Sequence, residues 1–177
     1  GLLFVALAKL YGAKKILAID LNKKRLQIAK KLGATDIFKS SKINQEVIIK
    51  KISNKTKTSS YDVVISANGN IKSHELACGL VGKKGVVNLF GGIPKNLNKK
   101  LTIDSNMIHY KQASITGSFS SAQSHLTKAF KIIKNKSIDF SKIVTSNANF
   151  ENFNHKLYLL KKHKEIKSIF IPKHEKL

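Results

Sequence analysis

Asp20 is the side chain whose type and position most directly imply chemistry. It closes the apolar run KILAI (Lys15–Ile19), and Gly1 stands about 20 residues before it, the separation between a phosphate-binding glycine turn and a ribose-binding carboxylate. On this reading Gly1 is the third glycine of a G-x-G-x-x-G turn, and Asp20 accepts hydrogen bonds from the hydroxyls of an adenosine ribose. The alternative is an acid that does no more than stabilise the dipole of the helix it precedes. A carboxylate here repels a 2′-phosphate, which favours NAD over NADP. Lys23, Lys24 and Arg25 pull the other way, because a cation at that point accommodates the phosphate.

The elements that must hold these groups follow from apolar spacing. Gly1–Tyr11 reads as an apolar helix closed at Gly12, Lys15–Ile19 as a strand buried on both faces, and Asn22 as the cap of a helix that stops at Gly33. Thr35–Phe38 is a strand, and Ile43, Val47, Ile48 and Ile52 share a helical face. The Lys/Thr/Ser-rich stretch Lys50–Ser60 reads as a loop. Tyr61–Ser66 is a strand followed by the turn Ala67–Asn70, with Gly69 free to take positive φ. A helix over Ile71–Val81 ends at Gly82, and a strand over Gly85–Phe90 breaks at Gly91-Gly92.

Strand and helix thus alternate from Gly1 to Phe90, which predicts an α/β fold with a doubly wound parallel sheet. Ligands of such sheets bind at the strands' carboxyl ends. Those ends carry Asp20, then Ser66 and Ala67 with Asn68, then Leu89, Phe90, Gly91 and Gly92. Beyond Pro94 the rhythm changes. Leu101–Ile103 and Met107–Tyr110 are short, Ser114–Gly117 is a last sheet strand, and Ala122–Lys134 is an amphipathic helix with Leu126, Ala129, Phe130 and Ile133 on one side. The tail, Ile143–Ile171, offers a strand, a helix around Leu157–Leu160 and a final strand, Lys167–Ile171.

The 177 residues, 42% of them hydrophobic, suffice for one domain with a sizeable core. A net charge of +23 would ordinarily raise nucleic acid or an anionic membrane as a partner. Here the excess is lysine, Arg25 is the sole arginine, and aromatics are 7% with no Trp. Base readout favours arginine, and single-strand binding favours stacked aromatics. Neither nucleic acid nor membrane is therefore expected as a partner, and the opening apolar run is too short to span a bilayer. Cys78 is the one cysteine, read as a small core residue in a reducing, cytoplasmic protein without disulfides. The six histidines show no two-ligand spacing on a helix, so no metal site is expected, and His155 and His163 are expected in solvent.

Four stretches, AIDLNKKRLQIAKKLGATDIF (Ala18–Phe38), DVVISANGN (Asp62–Asn70), GVVNLFGGIPK (Gly85–Lys95) and DSNMIHYKQASITGSFS (Asp104–Ser120), carry a resemblance that continues weakly to IKSIFIP (Ile166–Pro172). The chain resembles the carboxyl-terminal part of zinc-dependent medium-chain dehydrogenases of the alcohol, sorbitol and threonine dehydrogenase type. The resemblance implies a Rossmann domain over residues 1–121 that lacks its first strand, and a helix and tail over 122–177 returning to a catalytic domain outside this chain. It implies that Asp20 binds the adenosine ribose, that Arg25 packs near adenine and ribose, and that Asn22 supports the same turn. The backbone of Leu89, Phe90 and Gly91 and of Gly117, Ser118 and Phe119 would line the nicotinamide half. Lys167 would lie near the pyrophosphate.

The resemblance also implies NAD as coenzyme and an alcohol or polyol as substrate. Zinc is expected only in an amino-terminal domain, where it would polarise the alcohol oxygen. No catalytic residue is assigned within this chain, and a homo-oligomer is expected of the full-length parent. Because the sequence opens without Met in mid-motif, it reads as a fragment. Other readings are a truncated remnant without turnover, an S-adenosylmethionine-dependent methyltransferase, which also ends its second strand on a ribose-binding acid, and a basic nucleic-acid-binding module.

Overall fold

Leu2–Leu10 forms α1, with Val5 and Ala6 buried, and Gly12 ends it in the left-handed region at φ 81°. In this computed structural model, which describes residues 1–41 and 44–172, β1 spans Leu17–Asp20, α2 Lys23–Lys31 and β2 Asp36–Lys39. Thr35 pins the start of this unit: its hydroxyl oxygen accepts from Ile16 N at 2.9 Å, and Ile16 O accepts from the same hydroxyl at 3.1 Å. Helix α3 runs Gln45–Thr56, burying Ile48 and Ile52. The expected loop from Lys50 is therefore helical through Thr56. Its polar residues fill the outer face while Ile52 is wholly buried, and the Thr56 hydroxyl bonds back to Ile52 O at 3.0 Å. Ile43, expected on this helix, lies outside the described residues.

Strand β3 is Tyr61–Ser66, α4 is Ile71–Leu80 and β4 is Val81–Leu89. The strand after α4 begins at once and passes through Gly82, which was expected to end the helix. Val81 is fully buried and pairs with Tyr61, and the register then shifts before Val63 meets Val86. Of the short apolar pieces beyond Pro94, Met107–Tyr110 falls in α5 (Ser105–Lys111) and Leu101–Ile103 in no helix or strand; β5 (Ser114–Gly117) and α6 (Gln123–Lys134) follow. A 3₁₀ turn at Phe140–Lys142 precedes β6 (Ser146–Ala148), α7 (Phe153–Lys161) and β7 (Ser168–Phe170).

The fold is α/β, and all the strand pairs are parallel: β1 with β2, β3 with β4 with β5, and β6 with β7. Among the described residues the sheet expected from the alternation is two separate ladders, β1-β2 and β3-β4-β5, and the tail, expected apart from that sheet, forms the third, β6-β7. β1 and β3 each pair on one side only among the described residues.

The chain divides into two compact units. One is Leu2–Lys39 with the chain from Lys128 on; the other is Ser40–Thr127 with Gly1. The first is built on Val5, Ala6, Ile16, Ala29, Leu32 and Ala34, joined by Ile138 and Ile143 from the tail. The second is built on Ala77, Cys78, Val81 and Val87. Each fully buried aliphatic side chain there contributes about 1.5–3 kcal/mol. No helix of the described residues is long and apolar enough to cross a membrane.

Candidate functional site

The acid at the end of β1 sits where the apolar run placed it. Asp20 Oδ1 accepts from Asn22 N at 2.7 Å, and Asn22 Oδ1 in turn accepts from Lys24 N at 2.8 Å and Arg25 N at 3.3 Å. Two of the four amides that a helix start leaves without partners are thus satisfied by the cap. The Arg25 guanidinium comes back over the turn, with Nη1 3.9 Å from Asp20 Oδ2, both side chains being 33% exposed. That distance is an ion pair but too long for a hydrogen bond. Asp20 therefore spends one oxygen on its own turn and presents the other to a donor. A half-exposed carboxylate with lone pairs to spare suits a vicinal diol.

The tail contributes to the same corner. Arg25 Nη2 lies 3.0 Å from His163 Nδ1, and Asn22 Nδ2 reaches His163 O at 3.5 Å. His163 was expected in plain solvent; it is exposed, but it is held by the two residues that flank Asp20's turn. Nothing local in the sequence announces this, because the residues are 138 and 141 positions apart. Lys167, in the same unit, has an exposed side chain, and its carbonyl accepts from Thr145 N at 2.8 Å and Thr145 Oγ1 at 3.2 Å.

The other unit holds the carboxyl ends of β3, β4 and β5. Ser66 is buried, and its carbonyl accepts from both Phe90 N (3.1 Å) and Gly91 N (3.0 Å). Among the described residues its hydroxyl has no hydrogen-bond partner, and neither has Asn88 Oδ1. Ala67 is half-buried beside Ser66.

Gly91 is required by contact: a Cβ there would fall on the backbone N, C and O of Asn68. Gly69 likewise meets the Gly92 carbonyl. It does not take the positive φ expected of it, and close approach is what selects glycine. His74 Nε2 lies 3.1 Å from Asn68 O and anchors this turn, a role the sequence did not suggest.

Leu89 is half-buried and Phe90 exposed at the end of β4. At the end of β5, Gly117 is exposed, and just beyond it Ser118 is exposed with its Oγ accepting from Asn88 Nδ2 at 2.7 Å, and Phe119 is fully exposed. Gly1 is exposed, and a Cβ there would meet nothing within 4 Å. The expected residues thus fall in two groups. Asp20, Asn22, Arg25 and Lys167 belong to one compact unit, and Ser66, Ala67, Leu89–Gly91 and Gly117–Phe119 to the other, with Gly1. Among the described residues no three His, Cys, Asp or Glu side chains gather as metal ligands do.

Residues 1–135 match the family model described as zinc-binding dehydrogenase. D-xylulose reductase A of Aspergillus oryzae is 27% identical over 170 residues, 96% of this chain and 46% of that protein. Among solved structures, an alcohol dehydrogenase zinc-binding domain protein from Burkholderia ambifaria superimposes with a TM-score of 0.84 at 20% identity, over 98% of this chain and 46% of that one. A zinc-binding dehydrogenase from Sinorhizobium meliloti, solved bound to NADP, gives 0.81 at 20% identity, over 97% and 49%. The chain spans about half the length of the curated relatives it matches.

Proposed function

The chain belongs to the zinc-binding dehydrogenase family, and on that premise we propose that it is the coenzyme-binding portion of an NAD-dependent oxidoreductase moving hydride from an alcohol or polyol to NAD. The observation that carries the reading is Asp20. Its position at the end of β1, with Oδ1 bound to its own turn and Oδ2 beyond hydrogen-bond reach of Arg25, leaves acceptors for both ribose hydroxyls and repels a 2′-phosphate.

NAD, when bound, supplies the nicotinamide carbon that takes the hydride. The chain's own residues bind and orient. Asp20 and Asn22 fix the ribose, Arg25 packs beside the adenine, and Gly1 and Lys167 face the phosphates. On the other unit, Ser66 and Ala67 and the backbone at Leu89–Gly91 and Gly117–Phe119 face the nicotinamide half. Gly91 lets this turn close against the Asn68 backbone. The zinc that polarises an alcohol oxygen, and the pocket that selects the substrate, belong in this reading to the half of such enzymes that this chain does not span.

The test is a titration of the chain with NADH, followed by fluorescence, beside Asp20→Ala. Removing the carboxylate deletes at least one charge-assisted hydrogen bond of about 1.5–3 kcal/mol, so the affinity falls about tenfold to a hundredfold. An Asp20→Ala chain that binds NADH as tightly as the parent overturns the proposal.

A further inference from the structure

We propose that His163 is a specificity-determining residue of the coenzyme site: by accepting the Arg25 guanidinium at Nδ1, it withholds from a 2′-phosphate the one cation able to grip it bidentately. The inference rests on the coenzyme reading of Asp20 and adds to it a residue of the distant tail.

Arginine has five donors and no acceptor. The 3.0 Å contact between Arg25 Nη2 and His163 Nδ1 therefore requires the imidazole to accept, which places the ring's proton on Nε2. Arg25 Nη1 stands 3.9 Å from Asp20 Oδ2. The guanidinium is thus stretched between the ribose acid and the tail, with one terminal nitrogen directed to each. A planar fork is the geometry that recognises phosphate. Here one tine of the fork, Nη2, is already engaged by His163.

His163 itself is well placed to hold on. It sits just past the end of α7 at φ 55°, its amide donates to Leu160 O at 3.0 Å, and its carbonyl lies 3.5 Å from Asn22 Nδ2. A few residues on, Ile166 packs against the core that includes Ile16 and Ala29. Core packing therefore anchors the segment that carries His163. As Arg25 is the sole arginine of the chain, no other side chain can supply the same fork. Lys23 and Lys24 remain as point charges whichever way Arg25 turns.

The experiment compares NADH and NADPH dissociation constants for the full chain, for His163→Ala and for His163→Asn. Alanine removes the acceptor and frees Arg25; asparagine restores an acceptor oxygen near the place of Nδ1. The ratio of the two constants does not depend on the fraction of chain folded, so a merely structural role of His163 leaves it unmoved. We expect the parent to prefer NADH, His163→Ala to shift the ratio toward NADPH about five- to tenfold, the scale of one ordinary hydrogen bond at an exposed site, and His163→Asn to bring it back. A parent that binds NADH, with a ratio unmoved in His163→Ala or moved equally in both variants, overturns the role of His163 alone. A folded parent that binds neither coenzyme overturns the coenzyme reading and this inference with it.

Discussion

Replacing Gly91 with alanine tests whether close backbone approach shapes the turn beyond β4. The added Cβ would fall on the N, C and O of Asn68, three backbone atoms and not the movable end of a side chain. The Gly91 backbone is not in the left-handed region, so the cost comes from contact and not from φ. Relief would require moving the Asn68 turn, which is tied down by His74 at 3.1 Å, or breaking the 3.0 Å bond from Gly91 N to Ser66 O.

Overpacking against a fixed neighbour costs about 1–3 kcal/mol. For a chain of this size each kcal/mol lowers the midpoint by about 2–4 °C, so Gly91→Ala lowers Tm by roughly 2–12 °C. Gly92→Ala is the internal control, because a Cβ there meets nothing within 4 Å and the backbone is unstrained; its stability stays within about 0.5 kcal/mol of the parent. Thermal melts of the three proteins by circular dichroism decide. If Gly91→Ala melts with Gly92→Ala, the close approach is not real.

Acid sensitivity of the tail follows from Glu165. The Ser146 hydroxyl and, at 2.9 Å, Lys156 Nζ bond its carboxylate and hold its pKa below the usual range. A depressed folded-state pKa contributes stability at pH values above the unfolded one and loses it as pH falls through the folded one. Glu165→Gln therefore melts lower at neutral pH and shows a flatter decline of Tm below the ordinary carboxylate range; equal slopes in parent and variant contradict this. Cys78 is fully buried and burial pushes its thiol up, with the Glu75 charge adding to the effect. A thiol-reactive dye is expected to label it only as the chain unfolds. Rapid labelling of the native protein at mildly alkaline pH would show that α4 does not bury it.

Local signals account for what could be read in advance. The apolar run into Asp20, the cap at Asn22 and the glycine stop at Gly33 are each a statement about neighbouring residues, and each element appears within a residue or two of its expected place. The segment after Lys50 misled because lysine and threonine suit the outer face of a helix as well as a loop, and the decisive residue is one buried isoleucine, Ile52. Gly69 misled for a related reason: a glycine can serve torsion or proximity, and only the carbonyl of Gly92, 23 positions on, tells which.

Helix α6 was legible as a helix, yet it buries none of its residues, and Leu126, Phe130 and Ile133 are exposed. Periodicity announces a face without naming what covers it. His163 and His74 were illegible because each acts on a turn through a tertiary hydrogen bond, and single residues of this kind leave no pattern.

The most direct measurement follows the amide chemical shifts of the isotope-labelled chain as NADH is added, with S-adenosylmethionine and a short RNA in parallel. The account predicts saturable shifts with NADH at Asp20, Asn22, Arg25 and His163 on one unit and at Ser66–Ala67 and Leu89–Gly91 on the other, with no such response to the other two ligands. Shifts elsewhere, or a stronger response of these residues to S-adenosylmethionine or RNA, would contradict it.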